Sequence, residues 1–150
     1  VDKLNIDAPG FSEPTAGIVT GGQPDLALLT RLRNAGLRYV INLRPAAEDS
    51  SFDEAGAAKA LGLNYLNLPI SGPADFSPDN VASFNQLLND VSGEATLIHC
   101  ASGNRVGALY ALRAAWLHSK TTDEALAIGR AHGLTKLEGT VRTKLEQSQV

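Results

Sequence analysis

The chain has 150 residues, a net charge of −3 at pH 7, 13 Lys plus Arg, three histidines and one cysteine. That length fits one domain with a single core, and the scattered basic residues offer no positive face to nucleic acid. A lone cysteine makes neither an internal disulfide nor a dithiol redox pair, and no apolar run approaches the roughly 18 residues of a membrane span.

Residues 1–17, with Pro9, Gly10, Pro14 and Gly17, read as an irregular lead-in to one domain covering 1–150. Ile18 to Thr20 reads as a first strand. Pro24 and Asp25 open a helix through Leu28, Leu29 and Leu32, closed by Gly36. Tyr39 to Leu43 is a compact β-rich run and predicts a central strand. A helix from about Phe52 to Leu61 ends at Gly62, and Asn64 to Leu68 follows as a strand stopped by Pro69. Ser77 is an N-cap with Pro78 at the first helical position, and Val81, Phe84, Leu87 and Leu88 share one face. Ala95 to Ile98 is a short buried strand, Val106 to Leu117 a helix apolar nearly all round, and Cys100 to Arg105 the turn between them. Thr121 and Glu124 have the spacing of a capping box for a helix running to His132, and a last helix covers about Leu137 to Gln147. The alternation of strand and helix predicts a three-layer α/β domain with a mostly parallel central sheet of about four to five strands flanked by helices.

The stretch HCASGNRVG, 99–107, carries the chemistry. Amides at the start of a helix converge on one point and the helix dipole adds partial positive charge, so Ala101, Ser102, Gly103, Asn104, Arg105 and Val106 line a cradle for an anion. Arg105 adds a planar fork suited to two oxygens, and a cysteine at a helix N-terminus beside a cation is activated as a nucleophile. Open parallel sheets bind ligands at the carboxyl ends of their strands, where Cys100 lies. The competing reading of Cys100 as a small buried hydrophobe explains neither Arg105 nor the loop glycine. His118 and His132 lie far from any ligand cluster, so neither a metal nor another cofactor is expected.

Cys100, Gly103 and Arg105, with His99 before them, resemble the signature loop of the cysteine-dependent protein tyrosine and dual-specificity phosphatases. GGQPD at 21–25, YVINLRP at 39–45, LGLNYLNLPIS at 61–71 and the helix after Ser77 follow the order seen in small bacterial members of that group. More narrowly, about residues 16–120 resemble the phosphatase-like domain found beside a beta-lactamase-like hydrolase. The resemblance implies a cysteine-phosphatase-like fold, Cys100 as nucleophile, Arg105 as oxyanion ligand and Asp75, in the loop SGPADFSPDN, as general acid, with Asp79 as competitor. It also implies that His99 orients the loop. Arg44, at the end of YVINLR, points to the same sheet edge as a supporting residue, and Gln23 is a weaker candidate.

Two departures keep alternatives open. Four residues separate Cys100 from Arg105, where the phosphatases have five, and CASGNR also resembles the loop of single-domain rhodaneses, whose cysteine carries a persulfide. Val106 stands where phosphatases commonly have Ser or Thr. The expected activity is metal-independent hydrolysis of a phosphate monoester on a small molecule or phosphoprotein. The alternatives are sulfur transfer through Cys100 and an anion-binding regulatory domain with weak catalysis. The chain begins at Val1 and has no methionine, so it reads as a processed or trimmed product; a removed leader predicts the periplasm, with the cytoplasm as alternative.

Overall fold

A computed structural model describes residues 1–48 and 51–148. Among them five strands form one sheet in the order β1-β2-β5-β3-β4. β1 is Phe11–Thr15, β2 Ile18–Gly21, β3 Tyr39–Asn42, β4 Asn64–Asn67 and β5 Thr96–His99. β5 lies between β2 and β3, parallel to both, and β4 pairs parallel with β3. Register therefore aligns Gly21, His99, Asn42 and Asn67 in one row at the carboxyl edge of the sheet.

β1 runs antiparallel to β2 within the segment expected to be irregular. Pro14 is compatible with it because β1 is an edge strand and the register shifts between Ser12 and Thr15, where the missing N–H breaks no regular ladder.

Side chains of a strand alternate between faces, and here each face finds its own core. Ile41 and Ile98 pack into the cluster that holds Phe84, Leu109 and Leu112; Val40 and Leu97 pack into the cluster with Leu28, Leu29 and Leu32. The second face is covered by α1, Leu26–Ala35, and α2, Glu54–Ala60. The first is covered by α3, Pro78–Asp90, α4, Asn104–Leu117, α5, Thr122–Ala131, and α6, Glu138–Gln147. Three layers result, with β5 fully buried at the centre.

The helix ends follow the local chemistry. Asp25, Asp53, Ser77 and Thr121 each cap a helix by accepting a first-turn amide, and Thr121 with Glu124 completes the capping box. α2 is shorter than expected because Asp53 rather than an earlier residue caps it. α4 is the longest helix and begins at Asn104, two residues before the expected start, since Gly103 takes the left-handed φ of +90° and serves as its N-cap. Its small residues admit close neighbours: Gly107 and Gly129 lie where α4 meets α5 and the turn to Leu134.

Candidate active site

Residues 100–105 connect the buried end of β5 to the buried helix α4, so the loop is anchored on both sides. Its outer wall is the turn after β2: Gly22 pairs with Ser102, and the Gln23 amide donates to the Ala101 carbonyl at 3.3 Å. A Cβ on Gly22 would meet the Ala101 carbonyl oxygen at 2.6 Å, so this close approach requires glycine. The Cys100 side chain is fully buried, and its Sγ accepts the Gly103 amide at 3.1 Å. Unlike the four helices capped by a side chain, α4 starts at a glycine with no side-chain cap, so nothing from its own N-cap covers the first-turn amides.

Arg105 is held on three sides. Its Nη1 donates to Glu48 Oε2 at 2.8 Å and to the Ile70 carbonyl at 2.7 Å, and its Nη2 donates to Glu48 Oε1 at 2.6 Å. Its proton is bound more firmly than in a free arginine, chiefly because of the Glu48 hydrogen bond. Glu48 in turn is pulled down from 4.5 to about 2, first by the hydrogen bond from Arg105 and then by that from Arg44, against partial burial.

Arg44 is brought to this cluster: its Nε donates to Glu48 Oε1 at 2.9 Å and its Nη1 to Gln23 Oε1 at 2.7 Å. Asp75 closes a short 3₁₀ turn, Pro73–Asp75, in the loop that supplies the Ile70 carbonyl, and its Oδ2 accepts the Ser71 amide at 2.7 Å. The Asn80 side chain donates to the Asp75 carbonyl, tying the turn to α3. Asp79 is exposed in the first turn of α3, where it complements the helix dipole.

The other loop residues divide by where their side chains go. Asn104 faces away from the cradle and accepts the Thr135 and Leu137 amides at 3.0 and 3.2 Å, so only its backbone can serve an anion. Val106 is buried in the core with no exposure, and Ala101 and Ser102 are exposed at the rim. His99 is buried behind the loop, its Nε2 donating to Glu54 Oε2 at 2.5 Å and its Nδ1 3.1 Å from the Cys100 carbonyl oxygen. His132 stacks on Tyr110, with centroids 3.7 Å apart, and His118 caps the far end of α4. No group of three or more His, Cys, Asp or Glu among the described residues is placed to hold a metal ion.

Two residues of this network, Glu48 and Glu54, were not singled out from sequence. Glu48 lies in the loop after β3 and Glu54 opens α2, neither with a spacing signal, and they reach Arg105 and His99 across 57 and 45 residues. Beside the loop, over the ends of β3 and β4, is a polar cleft of about 430 Å³ lined by Gln23, Asn42, Arg44, Phe52, Tyr65 and Asn67, with Glu54 among its walls.

The family model for the phosphatase-like domain of beta-lactamase hydrolase-like proteins matches residues 13–117. The beta-lactamase hydrolase-like protein of Xylella fastidiosa strain Temecula1 is 32% identical over 120 residues, and that of Agrobacterium fabrum 30%. Each match covers 77% of this chain but only 27% of the relative, so the chain spans about a quarter of their length. Among solved structures, a protein of Neisseria meningitidis Z2491 described as a phosphatase aligns with a TM-score of 0.73 at 21% identity, covering 91% of this chain and 96% of that one. The core catalytic domain of a PP-IP phosphatase of S. cerevisiae aligns at 0.73 and 19% identity, covering 94% and 86%, and a DUF442 protein of Shewanella putrefaciens CN-32 at 0.67 and 19%, covering 93% and 92%. At such identities these three structures speak for the fold.

Proposed function

Since the chain belongs to the family of phosphatase-like domains found in beta-lactamase hydrolase-like proteins, we propose that it hydrolyses phosphate monoesters with Cys100 as nucleophile. The observation that carries this reading is Arg105, placed in the first turn of the helix that follows Cys100, with its guanidinium plane fixed by Glu48 and the Ile70 carbonyl. Cys100 Sγ attacks phosphorus, the P–O bond to the alcohol breaks, and Asp75 gives the departing oxygen its proton. Arg105 and the backbone N–H groups of the loop stabilise the charge on the non-bridging oxygens. Water then attacks the phosphocysteine, Asp75 takes up its proton, and inorganic phosphate leaves with the thiolate restored. Substrates are phosphorylated small molecules or phosphoproteins.

The four-residue spacing from Cys100 to Arg105 favours one second reading, sulfur transfer through a Cys100 persulfide. One preparation decides between them. Phosphate release from an aryl phosphate should fall to background in Cys100→Ser and drop about 10²-fold in Arg105→Lys, whose ammonium cannot hold two oxygens in one plane. Cyanide-dependent sulfur transfer from thiosulfate that requires Cys100, with no phosphate release above the serine control, would overturn the phosphatase reading.

A further inference from the structure

We infer that Glu54, steadied by Gln23, is a positioning residue for Cys100 that acts through His99. The inference rests on the reading of Cys100 as the nucleophile. Glu54 is a carboxylate only 5% exposed, and a buried carboxylate is costly unless each oxygen is paired. Both are paired: Oε1 accepts Gln23 Nε2 at 2.7 Å and Oε2 accepts His99 Nε2 at 2.5 Å. The other ring nitrogen of His99 lies 3.1 Å from the carbonyl oxygen of Cys100 itself. Both partners of the ring, the Glu54 carboxylate at Nε2 and the Cys100 carbonyl at Nδ1, are acceptors, and together they fix the plane of the ring against the peptide group from which the nucleophile projects.

The location argues for this use over that of a helix-capping acid. Glu54 is in the first turn of α2, where an acid ordinarily complements the dipole, but Asp53 already caps that turn by accepting the Gly56 amide. The Glu54 carboxylate is instead directed to the sheet edge. There it joins the turn after β2, the start of α2 and the end of β5 at one point directly behind the loop. A well-packed apolar pair would bridge the same elements at lower desolvation cost, whereas a charged chain also orients.

Gln23 extends the chain to the other half of the site. Its amide nitrogen serves Glu54 and its carbonyl oxygen accepts Arg44 Nη1, which leads through Glu48 to Arg105. The glutamine of GGQP is thus the neutral joint between the supports of the nucleophile and of the oxyanion ligand.

The test is Glu54→Gln, which keeps the volume but presents an amide nitrogen to one of two donors. Expected is a fall in kcat on an aryl phosphate of about 10- to 100-fold with KM within about threefold, since a displacement near 1 Å costs on that order and Arg105 still holds the anion. Alkylation of Cys100 by iodoacetamide at fixed pH should slow several-fold in parallel. Unchanged kcat and alkylation, or a loss confined to KM, would overturn the inference. Should Glu54→Gln fail to fold, Gln23→Ala, half-buried at the outer end of the chain, should lower both readouts in the same direction, and wild-type values there would overturn it equally. Absence of any Cys100-dependent phosphate release from the wild-type protein defeats the phosphatase reading instead, while the alkylation comparison still judges Glu54.

Discussion

Gly107→Ala tests whether the seat of α4 sets both stability and the geometry of the loop. A Cβ at Gly107 would lie 2.1 Å from Leu134 N and 2.6 Å from both Gly129 O and Leu134 Cα, all backbone atoms that no rotamer change can move. The two segments must part by roughly 1 Å to restore ordinary contact. Overpacking costs about 1–3 kcal/mol, and the absence of a yielding side chain puts this site near 3. Alanine returns about 1 kcal/mol of helix propensity, which leaves a net loss of about 2. In a domain of this size that is a Tm lowered by about 4–8 °C, readable by circular dichroism. Gly139→Ala is the matched control: it is also helical, its Cβ meets nothing within 4 Å, and it should gain about 0.5 kcal/mol and raise Tm slightly. Because Arg105 sits in the first turn of α4, Gly107→Ala should also reduce turnover while Gly139→Ala does not. Equal Tm values for Gly107→Ala and the wild type would refute the packing argument.

Three further outcomes are expected. Asp75→Asn should slow hydrolysis of esters with poor leaving groups by about 10²- to 10⁴-fold and spare those with good ones, and an equal loss on both would remove Asp75 as general acid. Glu48 is depressed from 4.5 to about 2, so its pairing stabilises the fold above the unfolded value and loses that effect as pH falls. The stability gap between wild type and Glu48→Gln, measured by denaturant titration, should accordingly be full at pH 6 and close between about 4.5 and 2; a gap independent of pH would contradict the pairing. Asn104→Ala should cost about 1–3 kcal/mol by orphaning the Thr135 and Leu137 amides, and it should lower turnover far less than Arg105→Lys.

What was legible in the sequence is what local chemistry decides. Asp25 with Gly36, Ser77 with Pro78, and Thr121 with Glu124 mark helix ends because capping acts over three or four residues, and each cap forms as expected. The position of Cys100 and Arg105 around the start of α4 was legible for the same reason. β1 was not: Pro14 within it and Gly10 and Gly17 on either side are turn signals, and an edge strand tolerates that proline only because β2 supplies its partner. Glu48 and Glu54 were invisible for a related reason. Their partners are set by the order β2-β5-β3, which brings the loop after β3 and the start of α2 beside the end of β5, and no spacing along the chain encodes that meeting.

The pairing of Arg105 bears on how the proposed chemistry would run. A guanidinium whose two Nη groups already serve a carboxylate presents less net charge to an incoming phosphate than a bare one, which weakens ground-state binding. The same bonds remove the rotamer freedom that an unrestrained arginine would lose on gripping the transition state. Only interactions stronger in the transition state than in the ground state accelerate the chemical step, and phosphate release benefits when the product is held loosely. Glu48 therefore trades affinity for orientation, and Glu48→Gln should bind phosphate more tightly as a product inhibitor while its kcat falls. Tighter phosphate binding with an undiminished kcat would show that the carboxylate merely neutralises Arg105 and does not hold it in line.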